Sequence, residues 1–185
     1  SLHDALPICL YQYGSRFISN LAQAGFNIII RPHPQSLKVE KNLIEQVKNE
    51  LSTFKNIEWD FEIDGLPSMQ RADILISDTS AVRIDFLFLY QKPIITLEMP
   101  LEDITGFEIT DLGESWMEEA LKKLGCTVGK DNIENLPAIV TETISTKTSE
   151  EIADFRARNV YNYKNSGEII ANYLIEEGMH YLKKV

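Results

Sequence analysis

Short apolar runs alternate with helical segments in the first half of the chain, and this alternation restricts the fold more than any other feature. The runs cover residues 27–30, 57–59, 74–76 and 94–97. The runs 27–30, 74–76 and 94–97 show little polar alternation, which is typical of strands buried on both faces, while 57–59 predicts a weaker strand. The segments between them carry apolar side chains at helical spacing. The sequence therefore predicts a doubly wound α/β domain, with a parallel sheet and helices on both faces.

The second half of the chain is harder to interpret, because the pattern weakens beyond Glu98. Residues 99–114 are acidic and are interrupted by proline and glycine, which predicts a long loop. Helical spacing returns further on. Helices are predicted over 116–124, 133–144 and 167–182, with a strand over 126–128.

The chain carries a net charge of −10, which argues against a general nucleic-acid binder. Residues 98–154 hold 14 acidic and 4 basic residues, so this segment accounts for the whole excess. An anionic ligand is therefore expected upstream of Glu98, near arginine and histidine side chains. No apolar run approaches the roughly 20 residues that span a bilayer, so no membrane-spanning helix is predicted.

Two cysteines, Cys9 and Cys126, lie far apart in the sequence and have no nearby cysteine or histidine ligands. Neither a zinc site nor a disulfide framework is predicted, and a reducing cytoplasm is the expected location.

Residues 1–8 resemble the translated end of a common sequencing adapter. On this interpretation they are artefactual, the natural sequence enters at about residue 9, and 9–185 form one domain of a longer protein. The alternative is an ordinary disordered N-terminal tail. In both cases His3 and Asp4 are poor candidates for a functional site.

Two predicted strand-to-helix loops carry reactive side chains, in the position where open α/β sheets bind ligands. The first loop contains Arg31 and then His33 between two prolines, which restrict the backbone and so present the imidazole. His33 can donate a hydrogen bond to a phosphate or to a leaving oxygen, and Arg31 is predicted to bind the same phosphate. A packing or capping role for His33 is the alternative.

The second loop precedes a helix predicted over 81–89. Asp78, Thr79 or Ser80 can cap that helix and leave backbone N–H groups directed at an anion near the positive end of the helix dipole. Plain capping is the alternative. What favours a phosphate site is that both loops are expected at one edge of the sheet, with His33 and Ser80 facing a common cleft.

Arg83 is predicted to bind the phosphate, and three nearby residues are predicted to support the site. Arg83 lies in the first turns of the helix, where a cation is unfavourable to the dipole unless an anion is near. Asp85 is expected to be half-buried and hydrogen-bonded, in a supporting role. Gly14 and Ser15 open the first helix and offer a further contact, with a simple cap as the alternative.

Residues 28–34 read Ile-Ile-Ile-Arg-Pro-His-Pro, and residues 72–97 contain Ser-Asp-Thr-Ser-Ala between two apolar strands. In order and spacing these segments resemble the CDP-glycerol glycerophosphotransferase family, whose members polymerise or prime teichoic-acid-like chains. The resemblance extends over roughly residues 14–97. It implies a GT-B architecture of two Rossmann-like halves, with this chain as the C-terminal, donor-binding half and the N-terminal half missing.

The resemblance also implies roles for individual residues. His33 would contact the donor pyrophosphate and steady the leaving nucleotide, while Thr79 and Ser80 would hold phosphate. Asp78 and Asp85 match acidic positions of the family. The reaction implied needs no metal or other cofactor, and it transfers an alditol phosphate from a CDP-linked donor to a polyprenyl-linked or polymer acceptor.

The acceptor would be reached through the missing half, so the chain alone is expected to bind donor with little turnover. The full-length enzyme would act in the cytoplasm, with peripheral association at the inner face of the cell membrane as an open alternative.

Alternatives to this function stay open. The family usually has an aromatic residue and a second serine where Thr79 and Ala81 stand, so CDP-ribitol or a nucleotide sugar is an alternative donor. With a nucleotide sugar as donor, the chain would be half of a GT-B glycosyltransferase or of a UDP-sugar 2-epimerase. A non-catalytic nucleotide-binding module is the alternative from another class.

Overall fold

A computed structural model describes residues 8–34, 36–78, 80–99 and 116–182. The expectations for residues 1–7, for Thr79 and for residues 100–114 of the predicted loop lie outside these ranges.

Helices and short strands alternate through most of the described part of the chain. The helices are α1 (Ile8–Tyr13), α2 (Arg16–Gln23), α3 (Ser36–Val39), α4 (Lys41–Glu50), α5 (Leu66–Arg71), α6 (Val82–Tyr90), α7 (Trp116–Leu124), α8 (Leu136–Thr146), α9 (Ser149–Asn159) and α10 (Ser166–Leu182). The strands are β1 (Ile28–Ile30), β2 (Ile57–Trp59), β3 (Leu75–Ser77), β4 (Ile94–Leu97) and β5 (Cys126–Val128). A 3₁₀ helix over Lys130–Asn135 leads into α8.

Two parallel sheets form where the sequence predicts one. β1 pairs with β2, and β3, β4 and β5 pair in that order, with every pair parallel. The mixed α/β class is confirmed, but among the described residues no ladder joins β1 to β3. Each strand has only three or four residues, so a ladder between two of them offers few hydrogen bonds and a small separation is enough to lose it.

The strands differ in how deeply they are buried. Ile94 and Ile95 of β4 are completely buried, because β4 is the central strand of its sheet. β1 and β3 are only half-buried along their whole length. The expectation that they are buried on both faces is wrong, because each is an edge strand of its sheet.

One hydrophobic core lies under both sheets. Phe17 and Leu21 from α2, Val47 from α4 and Leu97 from β4 belong to the same cluster of buried side chains. Side chains of β1 and β3, such as Ile28 and Ile76, pack against this cluster. The two sheets are therefore parts of one packed unit, and the burial of this apolar surface is what stabilises it.

Most helix and strand positions follow the sequence pattern. α7 and β5 have the predicted bounds, and α2 ends just before Gly25. The φ angle of Gly25 is 91°, a left-handed value that glycine adopts readily at the end of a helix. α8 begins a few residues later than predicted, and neither α3 nor α9 is predicted by the sequence pattern.

By its internal contacts the chain divides into two compact units, one that ends at Ile152 and one that begins at Ala153. All five described strands and the core cluster belong to the first unit. In the second unit the Arg156 guanidinium lies over the ring of Tyr163, 4.0 Å from its centroid. None of the helices in the described ranges is both long and apolar enough to cross a bilayer.

Candidate functional site

The carboxyl ends of β1 and β2 lie side by side, because the two strands are parallel neighbours. Arg31 follows β1 and Asp60 follows β2, and they form an ion pair of 2.7 Å between Nη1 and Oδ2. The Arg31 Nη2 donates to the backbone carbonyls of Glu62 and Ile63, at 2.6 and 2.9 Å. Arg31 therefore connects the end of β1 to the loop that follows β2.

Asp60 is the buried centre of this network. Besides the Arg31 guanidinium, its carboxylate accepts hydrogen bonds from the Ser68 hydroxyl and from the backbone N–H of Glu62. The Ser68 hydroxyl is the main cause that holds the pKa of Asp60 below its usual value, with the Glu62 amide and Arg31 acting in the same direction against burial. Asp60 is therefore ionised at neutral pH and balances the charge of Arg31.

The sequence predicts that Arg31 binds donor phosphate, whereas the structure gives its guanidinium partners within the chain. Gly65 permits this arrangement, because a Cβ at that position would lie 2.9 Å from the Arg31 Nε. Sequence analysis missed Asp60 and Ser68. The sequence does contain a signal for the ion pair, because Arg31 and Asp60 carry opposite charges and each directly follows a predicted parallel strand. Phosphate binding by Arg31 stays a prediction, and a phosphate would compete with Asp60 for the guanidinium.

A cleft of about 470 Å³ opens beside this network. Its wall carries the stacked rings of Trp59 and Phe61, whose centroids are 5.8 Å apart. The volume is in the range of small-molecule sites, roughly 300–1,000 Å³. The cleft is lined by Glu58, Trp59, Asp60, Phe61, Glu62, Asp64, Pro67, Ser68 and Arg71.

Acidic side chains dominate the charge of the cleft. Glu58 is paired with Arg71, as Asp60 is with Arg31, and Glu62 adds further negative charge. The part of the chain that the structure describes contains no group of three or more His, Cys, Asp or Glu side chains that could hold a metal ion. The cleft is therefore better suited to hydroxyl, amino or cationic groups than to phosphate.

His33 presents an exposed side chain in the loop after β1. The preceding Pro32 is buried, and the His33 carbonyl accepts hydrogen bonds from the N–H groups of Ser36 and Leu37, at 2.9 and 3.4 Å. The backbone of His33 is thus fixed at the start of α3. Since Arg31 is two residues away, the two Cα atoms lie within about 7 Å of each other, which places His33 near the Arg31 network.

The loop after β3 is held by two turn hydrogen bonds. The Asp78 Oδ1 accepts from the N–H of Ser80 at 3.3 Å, and the Ser80 Oγ accepts from the N–H of Val82 at 3.4 Å. The residue at the cap position of α6 is Ala81, which makes no side-chain cap. The predicted capping by Asp78 or Ser80 therefore takes the form of two long turn bonds, and a phosphate would compete for the same N–H groups.

His33 and Ser80 follow strands of different sheets, so the expectation that these strands are adjacent in one sheet is wrong. Both strands nevertheless pack against the same core. A common cleft between the two loops stays a prediction.

Arg83 is buried, with 5% of its side chain exposed, and its donors have partners within the chain. Nε donates to the Ser80 carbonyl and Nη1 to the Thr96 Oγ1, both at 3.0 Å. Nη2 forms an ion pair of 3.3 Å with the Oε1 of Glu118 on α7. Glu118 supplies the negative charge that a cation in the first helical turn requires. The ion pair with Glu118 therefore explains the position of Arg83 without a bound anion, and phosphate binding by Arg83 stays a prediction.

Asp85 is exposed, so the expectation that it is half-buried is wrong. α6 buries Arg83, Phe86, Leu87 and Phe88. At about 100° per residue, Asp85 falls on the side of the helix opposite Arg83, Phe86 and Leu87. A supporting role would have to be carried out from the surface.

Gly14 and Ser15 lie between α1 and α2. Gly14 follows α1 with a φ of 63°, and its N–H donates to the carbonyl of Leu10. Ser15 is the residue before α2, but its hydroxyl makes no capping hydrogen bond to the helix. The alternative that Ser15 is a simple side-chain cap is therefore wrong. That hydroxyl donates to the Glu50 carboxylate at 2.5 Å and lowers the pKa of Glu50. A carboxylate this close disfavours an anion at Ser15.

Glu40 is a buried carboxyl group between α3 and α4. Among the described residues, neither of its carboxyl oxygens nor the hydroxyl of Ser36 has a hydrogen-bond partner. Burial raises the pKa of Glu40, and the proximity of the Ser36 hydroxyl offsets part of that rise. Folding therefore shifts the protonation equilibrium of Glu40 towards the neutral carboxyl group, relative to the unfolded chain.

Replacement of Glu40 by glutamine is expected to raise the free energy of unfolding by about 1 kcal/mol at pH 8, because ionised Glu40 is buried without a partner. A raised pKa destabilises the fold only above the pKa of the unfolded state. The increase in the free energy of unfolding should therefore grow as pH rises through the pKa of Glu40 in the folded chain, and it should vanish near pH 4. Thermal melts between pH 4 and 8 measure it, with Glu45→Gln on the exposed side of α4 as control. A gain that does not change with pH would contradict this account.

Comparisons with known proteins leave the family open. No family model, no curated protein and no solved structure matches the chain.

Proposed function

We propose that this chain binds a nucleotide-diphosphate donor as the Rossmann-like, C-terminal half of a GT-B enzyme of the CDP-glycerol glycerophosphotransferase type. One observation carries the proposal. The two segments that resemble the family, 28–34 and 72–97, fold as strand-and-loop units in which the polar motif residues follow the carboxyl ends of parallel strands. Ligands of open α/β folds bind at such ends.

The phosphates of the donor would lie between His33 and the loop that contains Asp78 and Ser80. The exposed imidazole of His33 can donate a hydrogen bond to the pyrophosphate, and the Ser80 hydroxyl and backbone N–H can donate to the second phosphate. The acceptor hydroxyl loses its proton to a base outside this chain and its oxygen forms a bond to the phosphorus that carries the glycerol, while the bond from this phosphorus to the oxygen of CMP breaks. His33 would stabilise the charge that develops on the departing CMP.

The nucleoside of the donor would occupy the cleft beside Arg31 and Asp60. Its volume, its stacked aromatic pair and its excess of carboxylates favour a ribose and a base over a phosphate. The cleft and His33 lie at the ends of two paired strands, so one ligand can reach both. Aromatic rings stack on a base, and carboxylates accept hydrogen bonds from ribose hydroxyls or from the amino group of cytosine.

A competition experiment tests this proposal. Calorimetric titration of the chain with CDP-glycerol should give saturable binding that CDP displaces, with weaker binding of cytidine and of UDP-N-acetylglucosamine. Tighter binding of the UDP-sugar would instead favour a nucleotide-sugar enzyme. Saturable binding of none of these ligands would contradict donor binding altogether.

A further inference from the structure

Arg83 connects the loop between β3 and α6 to the neighbouring strand β4. Its Nε donates to the carbonyl of Ser80, near the end of the loop. Its Nη1 donates to Thr96, which is the register partner of Ser77 in the neighbouring strand, where the loop begins. One buried guanidinium thus holds the carbonyl of Ser80 to β4, the strand that is paired with β3.

The positive charge of Arg83 acts on this loop and is paired with a carboxylate on α7. The guanidinium lies in the first turn of α6, where the helix dipole is already positive, so it raises the electrostatic potential at the backbone N–H groups of the loop. The Glu118 carboxylate, 45% exposed on α7, opposes that potential. Because Arg83 is almost completely buried, its field is weakly screened by solvent.

We propose that Arg83 is a positioning residue for the phosphate loop and that Glu118, as its counter-ion, restrains the affinity of that loop for anions. This inference rests on the proposed function, since it assumes that the loop binds the donor phosphates. Arg83 acts through the Ser80 carbonyl and through its charge, without touching the ligand. Displacement of Glu118 from Arg83 is thereby a means to strengthen anion binding.

Two substitutions separate this role from a merely structural one, because they should change anion affinity in opposite directions. Glu118→Gln keeps a hydrogen-bond acceptor for Arg83 and removes the negative charge, so affinity for inorganic pyrophosphate should rise about three- to tenfold. Arg83→Met removes both the contact and the cation, so affinity should fall at least tenfold. Glu119→Gln, which removes an exposed charge from the same helix, is the matched control and should change affinity less than twofold.

A decrease of affinity in both variants, or no change in Glu118→Gln, would overturn the counter-ion role. The positioning role has a readout that needs no ligand. Amide hydrogen exchange in Arg83→Met should accelerate about tenfold or more at residues 80–84 and stay unchanged in β1 and β2. Should Arg83→Met fail to fold, Thr96→Val, which removes one of its partners, serves the same comparison.

Uniform acceleration of exchange across the unit, or no acceleration at residues 80–84, would overturn the positioning role. If the wild-type chain binds neither CDP nor pyrophosphate, the proposed function and the counter-ion role both fail. The exchange measurement then still decides whether Arg83 holds the loop.

Discussion

Replacement of Asp60 by asparagine is expected to lower the free energy of unfolding by about 2–4 kcal/mol. The buried carboxylate pairs with Arg31 and accepts hydrogen bonds from Ser68 and from the Glu62 amide. Asparagine keeps one acceptor oxygen and places an NH₂ group beside other donors. Arg31 is left without its counter-ion. Chemical denaturation at neutral pH measures the loss.

The same variant gives a pH dependence of known sign. The pKa of Asp60 is held below its usual value, so its contribution to stability is present above about pH 4 and is lost as pH falls through the folded pKa. The difference in stability between the wild type and Asp60→Asn should therefore shrink in acid.

Glu58→Gln is the matched control for Asp60→Asn. It removes a carboxylate of the same cleft that is also paired with an arginine, but this pair is exposed to solvent. A much smaller loss is expected, because exposed ion pairs contribute little. Equal losses in the two variants, or a difference that persists at low pH, would contradict the role assigned to Asp60.

His33→Ala is expected to weaken CDP-glycerol binding by about 1.5–3 kcal/mol, the range for a hydrogen bond to a charged group. Cytidine binding should barely change, because the nucleoside carries no phosphate that His33 could contact. The free energy of unfolding should change by less than about 0.5 kcal/mol, since the side chain is exposed. Calorimetry with both ligands, together with thermal melts, measures the three effects.

His180→Ala provides the control for His33→Ala, because it removes another exposed histidine from α10, far along the chain. It should leave both affinities unchanged. Unchanged CDP-glycerol affinity in His33→Ala, combined with a large decrease in melting temperature, would assign His33 to packing or capping and remove it from the site.

The sequence predicts the strands and most helices correctly because these depend on local patterns. α7 and β5 are recovered with their exact residues from apolar spacing alone. The side-chain partners depend on contacts that a pattern does not contain. Arg31 bonds to Asp60, 29 residues away, and Arg83 pairs with Glu118, 35 residues away.

Both arginines were predicted to bind phosphate because a cation near a helix start or strand end suits an anion. In each case the structure also places an acidic residue of the chain against the guanidinium, which the local pattern does not show, and phosphate binding stays a prediction. Asp85 is a further case. Its apolar neighbours in the sequence suggested burial, but the side of the helix on which it lies is exposed. The split into two sheets likewise follows from a few backbone hydrogen bonds between three-residue strands, which composition does not determine.

Mapping of the CDP-glycerol site by NMR tests the central claim most directly. On titration of the ¹⁵N-labelled chain, the backbone amides of residues 60–64, of 78–84 and of the non-proline residues in 31–37 should shift together. They should saturate with one dissociation constant, because one donor molecule would contact all three segments. Shifts confined to a single segment, to the second unit after Ile152, or to none of these residues would contradict a donor site shared by the His33 loop, the cleft and the Ser80 loop.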